Sequence, residues 1–577
     1  MEALNLTESI YKEIYMSAFA HKEDIAIQHN SVQLSYKQLI YHVNNASELL
    51  INRGISKGDY VTVLMPPSIG FVVSVLSILK VGAVCVPINI QNPIERVEYI
   101  VKSSNAKLVI TCDDFEEQVN NCHTLVLQED IYVNSEVTVH DINDELCVEF
   151  PKSHPVFCIF TSGSTATPKG IVLSQKGVMN HLYEKIKLLN IKKENTICLS
   201  MNIGFVASIW QLLAPLVLGA KLLILDSSII SNTYKLFVEA ETHNVRVVAI
   251  IPRMLKVFLD YVNPQRREYA FNNIEYIILT GEDVDELTVN RFYSLFGNVQ
   301  LVNAYGLTET SDDIFHYKIP INTNHKYIPI GSPIKNITFS LEPDGELIIQ
   351  GDCLPRKYIG DGKLFKIING HRAICTNDIF ITKTNSDLVY SGRKNNQIKI
   401  KGYRINPTEI ENAIKQVDGI IDCVVSKNNT GNLISIYTAT NKIESCVFLE
   451  HLQTLLPNYM IPKKYIWSNE MALSSNGKPD RRAINLLMTE LDNVSNRFVE
   501  QLKKTLETDQ CDIQDEISFD SILFISFIVA LEGEFDISWE DEMLLFDAFI
   551  KYQDMLDYVY SRLLVKESII NSGGMST

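Results

Sequence analysis

The stretch FTSGSTATPKGIVLSQKG, from Phe160 to Gly177, places six hydroxyl residues, three glycines and two lysines behind an apolar run. Glycine loses more conformational freedom on folding than any other residue, so such backbone is costly to order. One reading is a surface loop, the usual fate of a Gly/Ser cluster. The other is a phosphate cradle: small residues let backbone N–H groups approach an anion, hydroxyls add donors, and Lys169 adds a charge. The P-loop spacing G-x-x-x-x-G-K-[ST] is absent, because Lys169 precedes Gly170.

Further groups follow in order. NAYGLTET runs from Asn303 to Thr310, TNDIF holds Asp378, GRKNNQIKIKGYRI runs from Gly392 to Ile405, and NGKPDRR runs from Asn476 to Arg482. Alone, Glu309 reads as a loop carboxylate, Asp378 as a turn residue, and Lys478 as the exposed lysine of a turn. Asp312 and Asp313 in TSDD either face solvent, cap a helix, or bind a cation.

The elements that must carry these residues show a clear rhythm. YVTVLMP, AVCVPI, AKLVIT, VFCIFTS, AKLLILD, VRVVAIIP and IEYIILTG read as strands alternating with amphipathic helices. That order predicts parallel sheets covered by helices on both faces. FVVSVLSILKVG has helical length, and Gly82 is placed to end it. Lys80 interrupts the apolar run and Pro87 follows, which argues for a buried helix and strand and against a membrane span. Near Gly345 the texture changes, and GELIIQGD and DLVYSGR predict antiparallel strands. From Lys394 to about Leu487 a smaller α+β unit is predicted: a strand (QIKIKGYRI), a helix (PTEIENAIKQV) and two strands (IIDCVVSK, LISIYTA). Residues 495–565 predict three or four amphipathic helices, with no Lys or Arg between Thr505 and Ile550. Such an acidic tail is a solvated bundle or a docking module.

A chain of 577 residues is too long for one core and suggests three or four domains. Its net charge of −17 argues against nucleic-acid binding, which needs a basic footprint. Its 11 cysteines form no C-x-x-C pair. That fits reduced thiols in a cytoplasmic protein and gives no zinc signature. The polar, acidic start MEALNLTESIYKEIY is unlike a signal peptide.

Taken together, in this order and spacing, the motifs resemble the adenylate-forming superfamily of acyl-CoA synthetases, luciferases and nonribosomal peptide synthetase adenylation domains. The resemblance covers roughly residues 10–488, with LSYKQL, LKVGAVCVPIN and GELIIQG as weaker matches. It implies a large subdomain over 1–392, with parallel sheets and a smaller β-barrel-like part, and a small mobile α+β subdomain over 393–488. It also implies the reaction: ATP and a small carboxylic acid give an acyl-adenylate and pyrophosphate, and the acyl group then passes to a thiol.

The family's roles fall on named residues. Thr161, Ser162, Gly163, Ser164 and Thr165 would wrap the β- and γ-phosphates in a mobile loop, with Lys169 nearby. Asn303, Ala304, Tyr305 and Gly306 would hold the adenine, Thr308 would touch the α-phosphate, and Glu309 would ligate Mg2+, a hard cation suited to oxygen. Asp378 and Arg393 would reach the ribose. Lys478 would bridge the substrate carboxylate and the phosphate during adenylation, as a compact ammonium can. The small subdomain would then rotate about Asn395, where most relatives have Asp.

EISFDSILFISFIVALEGEFDIS resembles the core of a four-helix carrier domain, placed at 495–565, with Ile522, Ile525, Val529 and Phe535 supplying apolar contacts. On its own Ser521 reads as a helix N-cap. The resemblance gives it a 4′-phosphopantetheine arm, although Ser518 and Phe519 replace the usual preceding glycines. Implied partners are a phosphopantetheinyl transferase and, since the chain shows no condensation or thioesterase sequence, a separate condensation or acyl-transfer enzyme. The alternatives are an acyl-CoA ligase with a helical appendage, and a non-catalytic carrier scaffold, which the intact Lys478, Glu309 and Asp378 argue against.

The substrate pocket, by motif alignment, comprises Phe205, Val206, Ala207, Trp210, Ala249, Ile278, Thr280, Ala304, Asp312 and Asp313. In relatives that take α-amino acids, an Asp after the Phe pairs with the α-ammonium. Here that position is Val206, and a buried unpaired charge is strongly disfavoured. The expectation is a β- or ω-amino (or guanidino) acid whose cation meets Asp312 or Asp313. A neutral keto, hydroxy or aryl acid is the alternative.

Overall fold

Local rules set the elements. Helix Ile69–Val81 starts where the Ser68 hydroxyl accepts the Phe71 N–H at 3.1 Å, and it ends at Gly82 with φ +75°. A Cβ at Gly82 would meet the Phe150 ring at 2.3 Å, so the stop needs glycine for space as well as for φ. Strands Val84–Pro87, Leu108–Thr111, Thr196–Leu199 and Val245–Ile250 are buried at every residue. Such continuous runs belong to sheets covered on both faces.

The computed structural model describes residues 9–119, 122–128, 132, 149–161, 168–262, 270–322, 324–360, 365–394, 397–400, 402–428, 431–468, 471–472, 479, 481–506, 508, 513, 515, 517, 521–535, 537–540, 543 and 549–572. They fall into two compact units, Met1–Asn406 and Pro407–Thr577.

The first unit holds two large sheets. A nine-stranded sheet has a parallel centre, Gln300–Leu307, Tyr276–Thr280, Val245–Ile250, Thr196–Leu199, Lys221–Ile224 and Ile25–His29, with antiparallel strands at both edges. A seven-stranded sheet is parallel through Val84–Pro87 and its neighbours, and antiparallel where Pro155–Thr161, Lys169–Ser174 and Lys357–Ile359 pair. Both sheets are therefore mixed. The side-chain period of two divides each strand between layers. Ile197, Leu199, Val247 and Ala249 join the main apolar cluster, while Cys198, Val248 and Ile250 join another on the opposite face. Val61, Val63, Leu108 and Ile110 of the second sheet enter the same main cluster, with helices Ile10–Ala20, Tyr36–Asn52, Gln175–Leu189 and Ala207–Leu218. The core is this helical layer shared by two sheets.

The predicted antiparallel part is a five-stranded sheet in which Glu346–Gly351 and Leu388–Arg393 both pair with His371–Thr382. QIKIKGYRI, expected as one strand, is a hairpin: Ile398–Ile400 pairs with Tyr403–Ile405, and Gly402 at φ +77° supplies the left-handed turn.

The second unit opens with helix Pro407–Ile414 and a three-stranded sheet of Ile420–Lys427, Leu433–Ala439 and Lys464–Trp467. Three helices follow among the described residues: Arg481–Thr505, Ser521–Phe535 and Tyr552–Ser572. The expected boundary between 488 and 495 lies inside the first of them. Ile522, Ile525 and Val529 do not supply core contacts as expected; they are 80, 59 and 59 % exposed. The buried face is Phe524, Phe527, Ile528, Leu531 and Phe535. No described helix is long and apolar enough to cross a membrane.

Candidate functional site

Antiparallel pairing of Pro155–Thr161 with Lys169–Ser174 sets Thr161 opposite Lys169, so the glycine-rich stretch is the connection of a hairpin. Ser162, Gly163, Ser164 and Thr165 lie outside the described residues. At the base of the hairpin the Thr161 hydroxyl is buried without a hydrogen-bond partner. A phosphate oxygen would satisfy that orphaned group. Lys169 is buried beside it, with Nζ 2.8 Å from Oε1 of Glu309.

Strand Gln300–Leu307 carries Asn303, Ala304, Tyr305 and Gly306 and runs into the short turn Thr308–Thr310. The chain reverses through Ser311 at φ +61° and Asp312 at φ +119°, then returns as Asp312–Lys318 with Gly306 opposite Asp313. A Cβ on Gly306 would lie 2.1 Å from the Asp312 carbonyl oxygen, so this close return requires glycine. Asn303 donates from Nδ2 to the Pro329 carbonyl at 2.9 Å.

Asp378 is fully buried, opposite Arg393 in the neighbouring strand. The Tyr305 hydroxyl donates to its Oδ2 at 2.7 Å, and Arg393 Nε lies 2.7 Å from Oδ1. Burial, then the charge of Asp378, pushes the Tyr305 hydroxyl well above its usual range, so it stays a donor. Lys399, on the 398–405 hairpin, stands 5.9 Å from the centroid of the Tyr305 ring.

The same hairpin brings Arg404 to Glu309, with Nη1 at 2.8 and 2.9 Å from the two carboxylate oxygens. Burial acts to raise the Glu309 pKa, but Arg404 and Lys169 outweigh it and hold the carboxyl well below its usual range. Two cations on one carboxylate leave a positive surplus, which complements a polyanion. The anionic oxygens of Glu309 also suit a hard divalent cation.

Among the expected acyl-pocket residues, Ala249 stands opposite Ile278 and Thr280 opposite Ala304 in neighbouring strands. Val206, Ala207 and Trp210 lie at the start of helix Ala207–Leu218, and Val206, Trp210, Ala249, Ile278 and Ala304 share the main apolar cluster. The Phe205 ring packs 4.6 Å from the ring of Tyr403.

Asp312 and Asp313 neither face solvent nor wait for an external cation in the same way. Both are buried. Asp313 is already paired: Lys185 Nζ lies 3.0 Å from Oδ2, and the Thr280 hydroxyl donates to Oδ1 at 2.6 Å. Burial and the Asp313 charge push the Asp312 carboxyl well above its usual range, which keeps it protonated. Asp313, expected to meet a substrate cation, thus already has a cation within the chain. His181, Asp313 and His316 have ligand atoms within 4.8 Å of one another, a spacing that suits a cation. Lys185 supplies that charge.

Sequence reasoning missed Lys185, His181, His316, Lys399 and Arg404. A signal existed for two of them: His181 and Lys185 are four apart on helix Gln175–Leu189, hence on one face. Lys478 and Asn395 lie outside the described residues. For Ser521, only its place as first residue of helix Ser521–Phe535 is described.

The sequence profile described as AMP-binding enzyme matches residues 15–359. Zwittermicin A synthase ZmaJ of Bacillus cereus is 28% identical over 489 residues, covering 81% of this chain and 92% of that protein. Gramicidin S synthase 1 of Brevibacillus brevis is 28% identical over 482 residues, covering 80% of this chain and 43% of that protein. Among solved structures, NpsA-ThdA, an artificially fused adenylation-PCP di-domain from Klebsiella oxytoca, matches with a TM-score of 0.70 at 20% identity, over 80% of this chain and 94% of that one. That last likeness is one of fold.

Proposed function

This chain belongs to the AMP-binding enzyme family, as an adenylate-forming ligase of the nonribosomal peptide synthetase type, and on that premise we propose its reaction. A substrate carboxylate oxygen bonds to the α-phosphorus of ATP as the bond to pyrophosphate breaks. A thiol sulfur then attacks the acyl carbon, AMP leaves, and the thiol proton goes to solvent. The thiol belongs to a 4′-phosphopantetheine arm on Ser521 of the chain's own carrier segment, 495–565. The start of a helix at Ser521 supports that placement.

The observation that carries the reading is Glu309, held ionised between Lys169 and Arg404 next to an orphaned Thr161 hydroxyl. The surplus of positive charge offsets the repulsion between a carboxylate and a triphosphate. Lys169, Thr161 and the 162–165 backbone grip the outgoing phosphates, and Asn303 to Gly306 form the adenine wall. Tyr305 and Arg393 fix the Asp378 side chain while leaving lone pairs free for ribose hydroxyls, since a carboxylate accepts at about four positions. Bound Mg2+, held through Glu309, would spread phosphate charge onto a hard cation. Lys478 contacts both the carboxylate and the α-phosphate, and Asn395 is the pivot that exchanges it for the 398–405 hairpin. Val206 leaves an α-ammonium without a partner, so the acid lacks a conventionally bound α-amino group.

One set of measurements on the full chain tests this: pyrophosphate exchange across a panel of acids, and intact mass after a phosphopantetheinyl transferase. Lys478→Ala should lower exchange about 100- to 1000-fold, the cost of one lost transition-state contact. Ser521→Ala should exchange normally yet gain no arm and carry no acyl group. Near-normal exchange by Lys478→Ala would sink the catalytic assignment, and an unmodified wild type would sink the carrier assignment.

A further inference from the structure

Helix Gln175–Leu189 sends a lysine and a histidine against the buried aspartates Asp313 and Asp312. Lys185 has no exposed surface, sits on Asp313, and lies 5.6 Å from the ring centroid of Trp210. We propose that Lys185 sets the charge the acyl pocket accepts: it fills the cationic place beside Asp313, so the acid that this protein loads bears an uncharged hydrogen-bonding group, a hydroxyl, keto or amide, at its far end. This rests on the adenylation reading above and on the pocket positions assigned there.

Three observations carry it. First, the ion pair is closed. Lys185 sits on one Asp313 oxygen and the Thr280 hydroxyl donates to the other, so an incoming ammonium meets a carboxylate whose charge a buried lysine already balances. Second, the rest of the cluster is neutral. Burial and Lys185 hold the His181 and His316 imidazoles well below their usual range, and Asp312 stays protonated. One ammonium and one carboxylate therefore leave no net charge for a substrate cation to balance. Third, the cluster is unfinished. His316 Nε2 is buried without a hydrogen-bond partner, and His181 Nε2 and Asp312 Oδ2, 3.3 Å apart, have only each other. Native interiors rarely leave such an atom orphaned. Asp312 also sits at φ +119°, a costly conformation for a residue with a side chain, and such strain concentrates at binding sites. A hydroxyl both donates and accepts, and a keto or amide carbonyl accepts from the Asp312 proton or an imidazole N–H. These groups match what the cluster lacks.

The test is pyrophosphate exchange by the full chain with acids of equal length ending in hydroxyl, keto, amide, methyl or ammonium. It is run on the wild type, Lys185→Met, and Lys185→Met with Asp313→Asn. The wild type should prefer a hydroxyl-, keto- or amide-ended acid over the methyl- and ammonium-ended ones by about tenfold or more in kcat/KM, the scale of one hydrogen-bonded group. Lys185→Met frees Asp313 and should shift preference towards the ammonium-ended acid by about tenfold. The double variant, with no free carboxylate, should return to the uncharged acids. A wild-type preference for the methyl or ammonium end overturns the proposal, as does one preference shared by both variants. The wild-type panel decides even where a variant does not fold. Exchange with no acid at all overturns the adenylation reading and this inference together, whereas exchange led by ammonium-ended acids overturns this inference alone.

Discussion

Glu309 and Asp313 stand four residues apart on one turn, both buried, yet their surroundings teach opposite lessons. Glu309 has more cation than it needs, from Lys169 and Arg404. Asp313 has one lysine and one hydroxyl, and burial and the Asp313 charge push its neighbour Asp312 towards the uncharged form. The first centre is an electrostatic site, built for an anion still to come. The second is balanced and lacks only hydrogen bonds.

The hardest blow to this contrast is Glu309→Gln. It leaves two buried cations facing each other, and breaking such a pairing costs about 3–5 kcal/mol, here toward the upper end. Pyrophosphate exchange should fall about 100- to 1000-fold, as for loss of a charge stabiliser. Exchange near the wild-type rate would show that the cation surplus serves no phosphate.

Asp313→Ala strands a single lysine and should cost less, about 3 kcal/mol in urea denaturation. Adding Lys185→Met should recover most of that loss. A double variant as unstable as the single one would mean that the two groups do not balance each other.

The smallest effect is a pH dependence of opposite sign at the two centres. Folding lowers the Glu309 pKa, so its contribution is present above its usual 4.5 and is lost as pH falls. Folding raises the Asp312 pKa, so the native state holds a proton that the unfolded chain releases above 3.8, and stability falls as pH rises. Asp312→Asn removes that penalty. Its stability relative to wild type should grow between pH 5 and pH 6, by at most about 1.4 kcal/mol. A difference that does not change with pH would break the contrast.

The legible part of the site was the part written in local order. Gly82 as a helix stop, the buried strands, and the ordered motifs around Glu309 and Asp378 all depend on neighbours in sequence. Lys185 and Asp313 are 128 residues apart, and no local pattern reveals such a pairing. Helix Ser521–Phe535 is apolar nearly all round, so periodicity could not choose its buried side; the bulk of Phe524 and Phe527 did. QIKIKGYRI looked like one strand because alternation survives a two-residue turn.

Helix Arg481–Thr505 crosses the expected boundary between 488 and 495, and its Ile484, Met488, Leu491, Phe498 and Leu502 lie in a single apolar cluster. The same cluster takes in Val424 and Ile436 from the sheet, and Phe527 and Leu556 from the later helices. None of these elements can shed its neighbours without wetting the others. The sheet and the C-terminal helices of the second unit therefore form one foldon, gaining and losing order as a single cooperative step.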